Sequence, residues 1–400
     1  MVITETTPGL NTTLLTSSTT ISTACTFGAS QNYASGTSLL DLGTPVFTIS
    51  SDFNGDSYSD IAVANVAGSF AILLNDQTGG FPSYGMKYST GSTLVSKPNS
   101  LTAEDFDKDG DMDIAIADLL SQKVSLFKNG GSGTFTAYPT SPAYTTAIGT
   151  TSIVAALLNS DSYPDLAVIN PVGVAFTTGT VGVFINKADG TGAFNQQVEY
   201  QVGTLPYAVI AADINNDQKL DLIVTNVNVL TGSIGVLLGD GTGAFGIQTQ
   251  YSVGSIPHYV TANDFNGDGY LDLAAANTGG SGSITVLLNK GDGTFTSGVD
   301  YPILAAPQQV ISGDFNADGY VDLAVISTAP ISIPPTTQVV GILAGNGDGT
   351  FQGQVTSVIG ITPGSISLTK ADFNKDGKVD VATTAADPLA PGVDVMLGQC

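Results

Sequence analysis

The sequence contains no arginine and no tryptophan, and its 400 residues include only one histidine and two cysteines. All 11 basic residues are therefore lysines, and against 35 acidic residues they leave a formal net charge of −24. This shortage of basic groups excludes nucleic acid as a partner, because phosphate neutralisation needs basic patches and arginine forks. No apolar run approaches the ~18 residues that a helical membrane span requires, so we expect no membrane span.

Glutamate is scarce as well, with only Glu5, Glu104 and Glu199 among the 35 acids. The other 32 acids are aspartates, and 22 of these lie in seven nine-residue phrases of the type Asp-Phe-Asn-Gly-Asp-Gly-x-x-Asp. The phrases begin at residues 52, 105, 157, 213, 264, 314 and 372, so they recur every 50 to 58 residues. This spacing indicates a sevenfold repeat that fills the chain.

Each repeat carries four short segments that are typical of strands, since they are rich in Val, Ile, Leu and Thr and bounded by Gly, Asn and Asp. We name them A (before the phrase), B (after it), C (the next apolar run) and D (after a Gly-Asp-Gly turn). Four strands in about fifty residues predict an all-β fold, a seven-bladed β-propeller of four-stranded antiparallel blades. The predicted blades begin near Pro45, Pro98, Thr150, Pro206, Pro257, Pro307 and Pro363.

The seventh blade has no strand D after its strand C. In blade 5, Phe295 precedes Tyr301 by six residues at the start of strand D, and Phe27 precedes Tyr33 by the same spacing. We therefore expect residues 26–34 to complete blade 7 and to close the ring by pairing an N-terminal strand with the C-terminal blade. Residues 1–25 then form an N-terminal tail, and residues 26–400 form the propeller.

The two cysteines flank the hairpin turn that this closure interrupts. When the repeats are aligned, Cys400 takes the place of Gly291 and Cys25 takes the place of Gly293. Side chains at these places come within the Cα separation that a disulfide needs, so we expect a Cys25–Cys400 bond, with two free thiols as the alternative. A disulfide is typical of an oxidising compartment, which predicts an extracellular protein, secreted or at the cell surface.

The aspartate phrase has the donors of a calcium loop. Ca²⁺ takes about six to eight oxygen ligands, and the phrase offers side chains at positions one, three, five and nine and a backbone carbonyl at position seven. Glycine at position six permits a sharp turn. The candidate calcium ligands are Asp52, Asn54, Asp56, Tyr58, Asp60, Asp105, Asp107, Asp109, Asp111, Asp113, Asn159, Asp161, Tyr163, Asp165, Asp213, Asn215, Asp217, Lys219, Asp221, Asp264, Asn266, Asp268, Tyr270, Asp272, Asp314, Asn316, Asp318, Tyr320, Asp322, Asp372, Asn374, Asp376, Lys378 and Asp380.

Asx turns without a metal are the alternative interpretation of the phrases. Such turns do not require three or four carboxylates within nine residues, and without a cation those charges repel one another. We therefore expect six or seven Ca²⁺ ions as cofactors. The blade 3 loop has Leu157 at position one and is expected to be the weakest site, and Gln218 replaces the glycine of blade 4, which should strain that turn.

The repeats resemble FG-GAP or VCBS repeats, the calcium-loop blades of the integrin alpha-subunit β-propeller and of many secreted proteins. The resemblance covers residues 26–400 and rests on the phrase Asp-Phe-Asn-Gly-Asp-Gly-x-x-Asp-Leu-Ala, as at residues 264–274. It implies that the calcium loops lie on one face of the disc, where the ions are structural, and that ligands bind the opposite face. It names no ligand, because the family includes adhesins, lectins and domains attached to enzymes.

On the opposite face, formed by the D–A and B–C connections, Tyr207, His258 and Tyr259 follow the openings of neighbouring blades. They could form an aromatic patch that stacks on a sugar or packs against a peptide, and the alternative is that they fill the central channel or cap strand A. The absence of tryptophan weakens a lectin function, whereas 14 tyrosines leave it open.

Catalysis has little support in the sequence. His258 is the only histidine, and neither a Gly-x-Ser-x-Gly elbow nor a Gly-rich phosphate loop occurs. A lyase that uses calcium to acidify a proton would also need a basic partner such as arginine. We predict that the protein is not an enzyme.

Residues 1–24 contain nine threonines and three serines, with a glycosylation sequon at Asn11. We expect a flexible or O-glycosylated stalk, and the alternative is that residues 14–21 add a strand to a neighbouring subunit and build a fibre.

The predicted function is an extracellular calcium-binding recognition or adhesion module for a protein or glycan. A carbohydrate-binding lectin and a self-associating fibre or surface-layer subunit are the alternatives.

Overall fold

A computed structural model describes residues 27–34, 44–82, 85–91, 96–138, 144–171, 178–328, 338–359, 366–385 and 391–399. In chain order, the first strands are β1 (Gln31–Ala34), β2 (Pro45–Ser51), β3 (Asp60–Asn65), β4 (Ser69–Leu73), β5 (Met86–Ser89), β6 (Pro98–Glu104), β7 (Asp113–Asp118), β8 (Lys123–Asn129), β9 (Phe135–Ala137), β10 (Tyr144–Thr145), β11 (Ile153–Ala156), β12 (Asp165–Asn170), β13 (Thr180–Phe184) and β14 (Val198–Gln201). They are followed by β15 (Pro206–Ala212), β16 (Asp221–Asn226), β17 (Ser233–Leu237), β18 (Thr249–Ser252), β19 (Pro257–Asn263), β20 (Asp272–Asn277), β21 (Ser283–Leu287), β22 (Val299–Pro302), β23 (Ala306–Gly313), β24 (Asp322–Thr328), β25 (Gln338–Leu343), β26 (Val355–Ile359), β27 (Leu368–Ala371), β28 (Asp380–Ala385) and β29 (Gly392–Met396). Within the described ranges, no helix is long and apolar enough to cross a membrane.

The strands form seven antiparallel sheets, one for each sequence repeat. The strand orders are β2-β3-β4-β5 in blade 1, β11-β12-β13-β14 in blade 3, β15-β16-β17-β18 in blade 4, β19-β20-β21-β22 in blade 5 and β23-β24-β25-β26 in blade 6. In blade 2, β6-β7-β8 is completed by two short outer strands, β9 and β10, which pair with opposite ends of β8. The predicted seven-bladed propeller of four-stranded antiparallel blades is confirmed, with this split outer strand as its one variation among the described residues.

Blade 7 is closed by the N-terminal strand. Its order is β27-β28-β29-β1, and β1 pairs antiparallel with β29 along its whole length. Phe27 also forms an antiparallel β-bridge with Gly398, and this bridge is equivalent to the one between Phe295 and Asn289 in blade 5. The predicted ring closure is therefore confirmed, in the register that the Phe–Tyr spacing indicated.

Some sequence predictions fall outside the described residues. The Cys25–Cys400 disulfide, the sequon at Asn11, the N-terminal tail and the blade opening at Pro363 all belong to this group. They stay predictions.

The core lies between the blades and is built mainly from strands B and C of each sheet. Every residue of β3 is buried, because its alternate side chains enter two different interfaces. Ile61 and Val63 pack with Phe373 of blade 7, whereas Ala62 and Ala64 pack in the cluster shared with blade 2. A strand that is covered on both faces reads as a continuous apolar run, which is the pattern that follows each aspartate phrase.

Candidate metal sites

The seven aspartate phrases form the loops between strands A and B, all at one face of the disc. In blade 5 the loop leaves β19 after Asn263 and enters β20 at Asp272, so position nine is also the first residue of strand B. The same is true of the other six blades. The aspartate phrases therefore lie where the sequence predicted them, between strands A and B of each blade.

Each loop is anchored to the next blade through its position-two residue. Phe265 is buried and packs edge-on against Phe351 of blade 6, with ring centroids 5.3 Å apart. The carbonyl of Ile214, at position two in blade 4, accepts a 2.8 Å hydrogen bond from Asn289 Nδ2 of blade 5. Contacts of these two kinds recur around the ring, so the loops are held as parts of the blade interfaces.

The blade 5 loop folds around its own acidic side chains. Asp264 Oδ1 accepts the amides of Gly267 and Asp268 at 2.7 and 3.2 Å, and its Oδ2 accepts the amide of Gly269 at 2.8 Å. Asn266 Oδ1 accepts the Asp268 amide at 2.9 Å, and Asn266 Nδ2 donates to Asp268 Oδ2 at 2.9 Å. The side chains of positions one, three and five therefore converge, in a succession of Asx turns.

These contacts recur in the other loops. The position-one carboxylate accepts the amides of residues five and six in six of the seven loops. In all seven, the position-five carboxylate accepts the amide of residue seven. Gln218, at position six of blade 4, adopts a φ of 66°. A residue with a side chain therefore occupies the left-handed region where the other phrases favour glycine, as the sequence predicted. Position four is also left-handed in six loops, which the sequence interpretation did not recognise.

The position-nine aspartates have a different role from the other acids. Asp272 is fully buried; its Oδ2 accepts the amide of Phe265 at 3.0 Å and its Oδ1 accepts the amide of Asn289 at 2.7 Å. The same pair of bonds recurs in every blade. Burial raises the pKa of six of these aspartates to about 6 and also raises that of Asp380. They join each loop to the end of strand C, a role that was missed when they were counted only as metal ligands.

Blade 2 brings three carboxylates together. Carboxylate oxygens of Asp105, Asp107 and Asp109 lie within 4.8 Å of one another, and they are the only such group of three or more His, Cys, Asp or Glu side chains in the described part of the chain. Asp107 is buried, and its Oδ1 has no hydrogen-bond partner among the described residues. An orphaned buried oxygen beside two further carboxylates fits a hard cation, which takes oxygen ligands.

A lysine also enters this group. The ammonium of Lys128 donates a hydrogen bond to Asp107 Oδ2, and its Nζ lies 2.8 Å from Asp109 Oδ2. Hydrogen bonds to these two carboxylates raise the pKa of Lys128, so the ammonium stays charged. At position nine of the same loop, Asp113 Oδ2 accepts a 2.6 Å hydrogen bond from the hydroxyl of Tyr138.

Blade 3 has the poorest set of donors. Leu157 stands at position one and is 46% exposed, so the inner contacts are limited to those of Asn159 and Asp161. Blades 1, 4, 5, 6 and 7 keep the acids at positions one and five but have asparagine at position three. In blade 4, Lys219 Nζ lies 3.7 Å from Asp217 Oδ2. Six of the loops share one backbone path, with left-handed residues at positions four and six, and the loops differ in the charge that they concentrate.

Comparison with known families agrees with this repeated loop. A family model described as FG-GAP-like repeat matches residues 52–116, 105–168, 158–224 and 264–325. Each matched stretch begins at or near one aspartate phrase and runs into strand B of the next blade, and together the stretches cover more than half of the chain. The chain belongs to the FG-GAP-like repeat family.

The fold of this FG-GAP propeller is also found in solved structures. Two crystal structures of BBS1N in complex with ARL6DN, one soaked with lead and one with mercury, match it with TM-scores of 0.58 and 0.56. The identities are 10% and 12%, and each match covers 93% of this chain and 96% of the other. At this identity the similarity concerns the fold alone. No curated protein sequence matches the chain.

At the opposite face of the FG-GAP propeller, the predicted ligand residues gather at the end of the central channel. The rings of Tyr207 and His258 are stacked, 4.5 Å apart and 11° from parallel, and His258 Nδ1 is 3.2 Å from Gln308 Oε1. Tyr207 and Tyr259 line a small cavity to which all seven blades contribute. Burial lowers the pKa of His258 and raises those of Tyr207 and Tyr259. Tyr207 therefore contacts His258 through stacking and shares the cavity with Tyr259, and their role in binding a ligand stays a prediction.

Proposed function

We propose that the protein is an extracellular calcium-binding propeller, in which calcium stabilises the loop face and the opposite face recognises a protein or glycan ligand. The observation that carries this proposal is the ring of seven acidic loops, six of which share one pattern of internal hydrogen bonds. Six of them fold around a carboxylate at position one, and all seven around one at position five. The calcium is structural in this proposal, and the protein is not an enzyme.

The chemistry of the donors supports calcium over other metals. The loops offer carboxylate and amide oxygens and contain no histidine or cysteine, which zinc and copper prefer. Ca²⁺ accepts many oxygen ligands in flexible geometry, whereas Mg²⁺ keeps several waters in a strict octahedron. In a complete loop, the side chains of positions one, three and five and the carbonyl of position seven would hold the ion. Position nine would add an oxygen of a buried carboxylate that also joins the loop to strand C.

Electrostatics supports a stabilising role for the ion. Two carboxylates 4 Å apart repel by about 1 kcal/mol in water and by about 4 kcal/mol at the effective dielectric constant of a protein surface. Each loop repeats this repulsion, and the whole chain carries a net charge of −24. A divalent cation offsets the repulsion while the blade interfaces keep the loop in place. Six or seven ions are expected, with blade 3 as the weakest site.

The test is a count of bound ions together with a stability measurement on the full chain. Native mass spectrometry after titration with CaCl₂ should show six or seven bound ions, and scanning calorimetry should show a higher Tm in calcium than in EDTA. MgCl₂ at the same concentration is the control and should raise the Tm less. The proposal fails if the protein binds no ions in millimolar calcium or if its Tm is the same in EDTA.

Recognition by the opposite face has its own test. The stacked Tyr207 and His258 rings face each other, which favours a ligand that binds across the D–A connections over a sugar that stacks on one free ring. Binding to extracellular proteins and to a glycan array should be compared for the wild type and for Tyr207→Ala. Glycan binding that depends on Tyr207 would favour the lectin alternative.

A further inference from the structure

Lys128 occupies a position at which no other blade has a charged residue. It is the residue of β8 before Asn129, whose amide donates to Asp113 Oδ1 at 2.8 Å and whose Nδ2 donates to the Phe53 carbonyl at 2.8 Å. These bonds fix the backbone beside the blade 2 loop. The equivalent residues of the other blades, which precede Asn75, Asn186, Gly239, Asn289, Gly345 and Gly398, are Leu74, Ile185, Leu238, Leu288, Ala344 and Leu397.

The ammonium of Lys128 replaces a hydrogen bond that the blade 2 loop cannot make. In blade 5, Asn266 Nδ2 donates to Asp268 Oδ2 and so joins positions three and five. Blade 2 has Asp107 at position three, and a carboxylate has no proton to donate. Lys128 Nζ bonds both Asp107 Oδ2 and Asp109 Oδ2, so it joins the same two positions from a different strand.

From this geometry we infer that Lys128 is a built-in cation of the blade 2 loop and a competitor of calcium there. The calcium affinity of this loop, which has the most carboxylates, is then lower than its acidic residues alone would give. This inference rests on the proposed calcium binding and adds a specificity-determining residue to it.

The size of the competition follows from the charges. For calcium to use Asp107 Oδ2 and Asp109 Oδ2, the ammonium must leave these two oxygens, which its partly exposed side chain permits. Its backbone stays fixed by Asn129, so the positive charge remains close to the ion. A unit charge about 6 Å from a divalent ion in a water-like dielectric weakens binding about tenfold, and the loss of the ion pair adds to this.

The experiment compares wild type with Lys128→Leu, which installs the residue of blades 1, 4, 5 and 7. In a calcium titration followed by native mass spectrometry, one ion should bind about tenfold more tightly in the variant than in wild type. Lys290→Leu is the control, because it removes an exposed lysine from the same face beside the blade 5 turn. It should leave the titration unchanged.

The reverse change and a metal-free measurement complete the test. Leu288→Lys should weaken one ion about tenfold, because it transfers the ammonium to blade 5. In EDTA, Lys128→Leu should lower the Tm, whereas Lys290→Leu should not. If ions bind to wild type and to Lys128→Leu along the same curve, the inference is wrong while calcium binding stands. If neither protein binds any ion, the calcium proposal fails and this inference fails with it.

Discussion

The sharpest test of the calcium loops is to exchange the position-one residues of blades 5 and 3. Asp264→Leu gives blade 5 the residue of blade 3, and Leu157→Asp gives blade 3 the missing carboxylate. Asp264 accepts four loop amides at 2.7 to 3.3 Å. Because these amides can bond water when the carboxylate is lost, the expected loss of unfolding free energy in EDTA is only about 1–2 kcal/mol.

In calcium the loss should be larger, because the variant also loses a bound ion. At a free calcium concentration one hundred times the dissociation constant, one site adds about 2.7 kcal/mol to the free energy of unfolding. Urea unfolding of both proteins in EDTA and in calcium measures the two contributions separately. Equal losses in the two conditions, with an unchanged ion count, would refute the assignment of a metal to this loop.

Leu157→Asp is the reciprocal measurement. Leu157 is 46% exposed, so its removal costs little apolar burial. The new carboxylate should meet the amides of residues 161 and 162, as the position-one acids of the other loops do. The variant should bind one more ion than wild type, or bind its weakest ion more tightly. A titration identical to that of wild type would mean that position one does not decide the weakness of blade 3.

Three further predictions follow from the contacts around the loops. Asn289→Ala should lower the unfolding free energy by about 3 kcal/mol in calcium and in EDTA alike, because it leaves the buried carbonyl of Ile214 and the partly buried carbonyl of Leu271 without a donor. Urea unfolding measures this loss, and a loss under about 1 kcal/mol would contradict the prediction. Gln218→Gly should raise the unfolding free energy by about 0.5–1 kcal/mol, because glycine adopts the left-handed backbone at this position without strain. Gly269→Ala, at the same position of blade 5, is the control and should lower the unfolding free energy. An unchanged urea midpoint for Gln218→Gly would argue against strain. In EDTA, stability should fall as the pH rises from about 4.5 to 6.5. The position-nine aspartates have a pKa of about 6 in the folded state and near 3.8 in the unfolded state. The folded state therefore binds more protons in this pH window, and its stability is lost as these protons dissociate. A urea midpoint that rises with pH would contradict the raised pKa of these aspartates.

Much of the fold could be predicted because its signals are local and repeated. The aspartate phrase marks the turn between strands A and B, and the Phe27–Tyr33 spacing identifies β1 as the last strand of blade 7. The continuous apolar run after each phrase identifies a strand that is covered on both faces. Seven copies of these signals in register removed the ambiguity that a single copy would have had.

The details of the sites depend on contacts between distant segments. Lys128 meets Asp107 across 21 residues, and the contact arises only once β8 is paired in register with β7. Asp272 is likewise buried because it is the first residue of β20, a strand that neighbouring blades cover on both faces. The stacking of Tyr207 on His258 is set by packing across two blades. Sequence spacing identifies these residues but not the partners of their side chains.

The pairing of β1 with β29 constrains the order of assembly during synthesis. The strand at residues 31–34 leaves the ribosome before blades 1 to 6, whereas its partner at residues 392–396 leaves it after them. Blades 1 to 6 contain only strands that are close in sequence, so they can form as the chain emerges. The circle can close only after β29 has been translated, and until then β1 remains an unpaired edge that a chaperone or a second nascent chain can capture.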